Sequence, residues 1–227
     1  MTNSQIIRDN SLLWLQPRGF QVASSLPLSG GHFDQLRPIE EVAARALAIK
    51  GLFAWVVAPE TALPGAILTR FLGDNDLADD LTGDEREILL LDRTAARRAH
   101  QNTIGWKLEN LWPLAWVLGF EPQPTVEAEH ITEEIQHALL HEFLPSFETG
   151  IEEFRAQVVP RSSSEVAALE DLFYCAHNAV RSAQLGGATV PEGFDPIAHG
   201  GAVHERRHAL TWCLSPGTGW EDTDLST

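Results

Sequence analysis

Positive charge is scarce in this sequence: 16 lysines and arginines face 32 aspartates and glutamates, a formal net charge of −16 at pH 7. Such a field repels a phosphate backbone, so no nucleic-acid partner is expected. Long apolar runs are missing too. The longest, "GLFAWVVA" (51–58) and "LWPLAWVLGF" (111–120), fall short of the roughly 20 residues of a membrane helix, and no membrane association is expected. The opening "MTNSQIIRDN" has no basic flank leading into an apolar stretch, so no secretory signal is expected. Cysteine is nearly absent. Cys175 and Cys213 both fall inside apolar helical patterns, which suits a reducing cytoplasm better than a disulfide framework. No phosphate-binding glycine loop, nucleophile elbow or dinucleotide fingerprint occurs, so no cofactor is implied.

What is present is an ordinary globular balance, 44% hydrophobic and 21% charged, in a chain long enough for one domain with a substantial core. The acidity is uneven. Residues 121–157 hold nine carboxylates against one arginine, and residues 74–87 hold seven against one. Such faces keep a protein soluble and would also speed association with a basic protein partner. Nothing in the letters points to an oligomeric state.

The apolar spacing is helical nearly throughout. It predicts helices over 4–16, from Pro38 to about 57, over 64–72, from the capping box "TGDE" (82–85), and over 94–119 with a break near Asn102 and a cap at Thr103. Acidic helices over 126–144 and 146–157 follow. Then come a long helix from the capping box "SSSE" (162–165) to Gln184 and a last one over 202–214. No repeat or trustworthy strand pattern interrupts them. The expected fold is all-α, a single-domain bundle of about eight to nine helices with short loops and an irregular C-terminal tail.

Residues 204–208 read "HERRH", the His-Glu-x-x-His pattern of zinc hydrolases. Two histidines one turn apart still need a third ligand. Thr211 and Leu214 stand where a glycine and a further histidine would extend the motif. At about 100° per residue, Val203, Leu210, Cys213 and Leu214 define the apolar arc. His204, His208 and Thr211 fall opposite, toward water. The wheel puts Arg206 inside the arc and Glu205 at its border, and an inward guanidinium must find a partner. Glu109 shares a face with Trp112 and Trp116 on the almost wholly apolar stretch 104–120, so it must be paired or protonated. Along 163–184, Glu170, Tyr174, His177 and Arg181 form a polar stripe. The reading is that Glu109, His177, Arg181, Glu205 and Arg206 form one buried or cleft-lining polar cluster. It either fixes helix register or lines a pocket. A second histidine set, His130, His137 and His141 with Glu134, shares a face if 126–144 is one helix. No catalytic residue and no metal ligand is assigned, with His204 and His208, or His130, His137 and His141, as the weak metal alternatives.

Four stretches carry a family likeness. "SSLPLSGGHFDQLRPIEEVAARALAI", "WKLENLWPLAWVLGF", "LEDLFYCAHNAVRSAQ" with "VHERRHALTWCL", and the closing "GWEDTDLST" occur in that order. The chain resembles the bacterial family called domain of unknown function 4272 over nearly its whole length. The resemblance singles out Arg37, Glu41, Trp106, Glu109, Asp171, His177, Glu205, Arg206 and Trp212. Cys175 and Asn178 depart from the arginine and tryptophan of its pattern, and neither His204 nor His208 belongs to it. The family implies no settled activity. Three functions therefore stand: a non-catalytic cytoplasmic binding protein for a basic partner, for instance an immunity-type toxin neutraliser; an enzyme, metal-assisted or not, using the polar cluster; and a pocket protein that senses a small molecule.

Overall fold

Helix starts are where local chemistry shows first. In the computed structural model, which describes residues 2–28 and 35–227, both capping boxes form. The side chains of Thr82 and Ser162 accept from the backbone N–H of Glu85 and Glu165, whose carboxylates reach back. Among the described residues the fold is all-α, with no strand: α1 (Asn3–Leu15), α2 (Ile39–Val57), α3 (Gly65–Asp74), α4 (Gly83–Leu90), α5 (Arg93–His100), α6 (Trp106–Val117), α7 (Glu133–His137), α8 (Ile151–Arg155), α9 (Ser163–Gln184) and α10 (Ala198–Cys213). A 3₁₀ turn (Gln16–Arg18) follows α1 and a π-helical turn (Ala138–Phe143) continues α7. Residues 29–34, the Gly-Gly part of the expected loop at 24–33, lie outside the described residues.

The chain divides into two compact units. Unit 1 comprises Met1–Arg37, Pro124–His130 and Arg161–Thr227. Its axis is α9, packed by α1 on one side and α10 on the other. Gly200 permits the close approach of α10, since a Cβ there would lie 2.7 Å from Val180 Cγ1. Unit 2 comprises Pro38–Gln123 and Ile131–Pro160. Its axis is α2, buried from Val42 to Ala54 and contacted by α3, α4, α5, α6 and α8. The tail expected to be irregular is non-helical but anchored. Arg37 donates to the backbone oxygens of Trp212 (3.2 Å), Ser215 (2.6 Å) and Thr218 (2.7 Å), with its guanidinium 3.9 Å from the Trp212 ring.

Two expectations fail. Thr103 does not cap α6; its hydroxyl donates back to His100 O, and Gly105 takes the cap position. The acidic helices over 126–144 and 146–157 shrink to Glu133–His137 with its π turn and to Ile151–Arg155. In 124–130 the oxygens of Thr125 and Ala128 accept from the Arg206 guanidinium, each at 2.8 Å. Carbonyls held by an arginine are diverted from helical N–H groups four residues on, and the segment stays irregular.

Candidate functional site

Successive residues on a helix diverge by about 100°, so Glu170 and Asp171 of α9 meet different neighbours. Asp171 faces α1: Arg8 donates to it at 2.9 Å and Ser11 at 2.7 Å. Glu170 faces α10, accepting from Thr211 Oγ1 at 3.1 Å and Arg207 Nε at 3.4 Å. Arg207 Nη1 also donates to His177 Nδ1 (2.8 Å) and Leu225 O (2.9 Å), while Nη2 donates to Ser226 O (3.3 Å). A guanidinium has no acceptor, so His177 receives at Nδ1 and is neutral with its proton on Nε2. Burial first, and then the charge of Arg207, hold His177 down to about 3. Burial raises the Glu170 carboxyl against the pull of Arg207 and Thr211. The guanidinium's named partners are all internal, and the network ties α9, α10 and the tail.

The residues singled out by sequence are divided between the units. Arg206, fully buried, holds Thr125 and Ala128 in unit 1, and Glu205 beside it is half-buried. His177 joins the network above, while Arg181 lies at the surface and donates to Gln184 at 2.6 Å. Glu109, 1% exposed, belongs to unit 2, where Oε1 accepts from Ile131 N at 2.9 Å. His204 and His208 are half-buried rather than turned to water: His204 lies 5.3 Å from the His177 ring, and His208 sits 4.4 Å from Trp220. For His208 the reason is the tail, whose Trp220 folds back onto it, while His204 lies against His177 of α9. His130 precedes α7 instead of sharing a helix face with His137 and His141, whose rings are 5.0 Å apart. Among the described residues no group of three or more His, Cys, Asp or Glu is placed to hold a metal ion. Arg207 was missed, although the wheel puts it at about 40° from Val203 and Leu214 at about 20°.

Unit 2 carries a cavity of about 680 Å³, within the roughly 300–1,000 Å³ of small-molecule sites. One wall is Lys50, Phe53, Ala54 and Val57 of α2, spaced to share a helix face. The facing wall includes Gln136, Leu140, His141 and Leu144, from α7 through the π turn, and Phe147 adds an aromatic ring. A π turn admits one extra residue per turn and is frequent at functional sites. Lys50 is 5% exposed. Its Nζ donates to Pro145 O at 2.6 Å and Leu144 O at 3.3 Å, and lies 4.9 Å from the Phe147 ring centroid. Burial lowers Lys50 to about 8. His141 at the cavity edge is also lowered, first by desolvation and then by His137 and Lys50.

A family model described as "Domain of unknown function (DUF4272)" matches residues 8–223. The chain belongs to that family. The match spans both walls of the cavity and both axial helices, and stops before Leu225 and Ser226, the tail residues bound by Arg207. No curated protein and no solved structure matches the chain. Among the described residues no helix is long and apolar enough to cross a membrane.

Proposed function

We propose that this protein binds a small molecule in the unit 2 cavity without transforming it. The observation that carries the reading is the cavity itself, mostly apolar, with a few polar groups at Lys50, Gln136, His141 and Ser146. The buried thiols Cys175 and Cys213 support a reducing, cytoplasmic setting. The test is a thermal-shift screen of amphipathic compounds on the wild type and on Ala54→Phe, which fills the cavity from α2. Ligands should raise the melting temperature of the wild type and leave folded Ala54→Phe unmoved. Equal responses, or no stabilising compound at all, would overturn the reading.

A second reading rests on a separate observation: all seven carboxylates that unit 2 holds between Glu121 and Glu153 are exposed. That surface supports a basic protein partner, the immunity-type role included. A partner recovered at low salt and lost at high salt would favour it. Recovery of none at either would count against it.

A further inference from the structure

We infer that the cavity of unit 2 is built for an amphipathic monocarboxylate, an apolar chain or ring system ending in a single carboxylate, with Lys50 as its counter-ion. This rests on the proposal that the cavity binds a small molecule, and names the class of that molecule.

The chain has 32 carboxylates, yet none of the described ones lies within ion-pair distance of Lys50. Its polar partners are two neutral oxygens, Leu144 O and Pro145 O. Three buried arginines are matched by a carboxylate of the chain, Arg8 by Asp171, Arg45 by Glu85 and Arg207 by Glu170. Buried Arg37 and Arg206 donate to backbone oxygens, and neither lines the cavity. A buried charge without a counter-charge is costly. Here it lines a cavity.

The choice of cation also informs. Lysine occurs twice in the sequence and arginine fourteen times. Arginine's rigid fork suits the closed pairs, whereas an ammonium is a single point charge with three donors. Two of those donors go to Leu144 O and Pro145 O, which leaves one for a ligand oxygen. The neutral amide of Gln136 and the imidazole of His141, the only other titratable group among the lining residues, can serve the second oxygen of a carboxylate. A phosphate monoester would bring nearly two charges against one ammonium. A ligand amine would set like charges together. The remaining wall, Phe53, Ala54, Val57, Leu63, Leu140 and Phe147 among it, gains only from apolar surface. Burial alone depresses Lys50, and a bound carboxylate would reverse that depression.

The test uses four probes of one chain length, decanoate, 1-decanol, decylamine and decyl phosphate, titrated calorimetrically into the wild type and Lys50→Met. A charge-assisted hydrogen bond predicts that wild type prefers decanoate to decanol by about tenfold or more. Lys50→Met should lose that preference and still bind decanol. In parallel, labelled lysine gives two side-chain resonances, and decanoate should raise the titration midpoint of Lys50 while decanol leaves it in place. This second measurement needs no variant. Decanol and decanoate binding equally, a preference that survives Lys50→Met, or decyl phosphate or decylamine binding best would each overturn the inference and leave the cavity a small-molecule site. Binding of none of the four would overturn both.

Discussion

Arg45 and Lys50 stand five residues apart on α2, both buried, and the structure treats them in opposite ways. Arg45 grips both oxygens of Glu85, at 2.6 and 2.9 Å, and Lys107 adds a contact to the same carboxylate at 2.5 Å. Glu85 is also the returning arm of the α4 capping box, accepting from Thr82 N at 3.0 Å. Its carboxyl is held down to about 2; Arg45 and then Lys107 outweigh the larger opposing effect of burial. Lys50 has the depth without the counter-charge. The difference separates two settings of a buried cation: a closed pair locks elements together, and an open one beside a cavity suits the ligand proposed above.

Breaking the closed pair should have the largest effect. Glu85→Gln leaves Arg45 buried against a neutral group and should cost about 3–5 kcal/mol, read from urea unfolding. Removing the open cation should act in the other direction. Lys50→Met should stabilise by about 1–3 kcal/mol at pH 7, because burying that charge is unfavourable. The sign with pH follows from the lowered value: between about 8 and the ordinary 10.5 the unfolded chain holds a proton the folded one has released. Wild-type stability therefore rises across that window and the advantage of Lys50→Met shrinks. A destabilised Lys50→Met would erase the contrast.

A smaller effect belongs to unit 1. His177 is neutral when folded, lowered from 6.5 to about 3, so stability present above pH 6.5 is lost as the pH falls toward 3. Replacing it with Gln keeps an acceptor for Arg207 and removes the proton site. The urea midpoint should then fall less between pH 7 and pH 4 than in the wild type, by about 1–2 kcal/mol of stability. The smallest effect is at the surface. Arg155 and Glu152 pair at 2.6 Å, but the Glu152 side chain is 82% exposed. Glu152→Gln should change stability by less than about 0.5 kcal/mol. A cost near that of Glu85→Gln would show that burial does not set the scale.

Most helices were legible because their signals are local. The capping boxes at Thr82 and Ser162, Pro38 before α2, and the glycine after α9 all act within a few residues. The inward positions of Glu109 and Arg206 were legible from the wheel. The backbone carbonyls that Arg206 holds were not. Arg206 takes the oxygens of Thr125 and Ala128, some 80 residues earlier, and by doing so keeps 124–130 out of the helix that its apolar spacing suggests. The half-burial of His204 against α9 and of His208 under the tail comes from tertiary contacts, which no helical wheel contains. Lys50 drew no notice in a helix that reads as continuous core, and the π turn facing it leaves no mark in composition.

The letters alone determined the all-α class, the family, where most helices begin and end, and which side chains turn inward, because capping and amphipathic burial depend on neighbours one turn away. Which charge meets which partner was decided only by the tertiary structure. Asp171 reaches Arg8 across 163 residues, Glu85 reaches Arg45 across 40, and Lys50 ends between backbone oxygens 94 and 95 residues on. Pairing inside a low-dielectric interior depends on ångström-scale placement of groups from distant elements, and only packing supplies that placement.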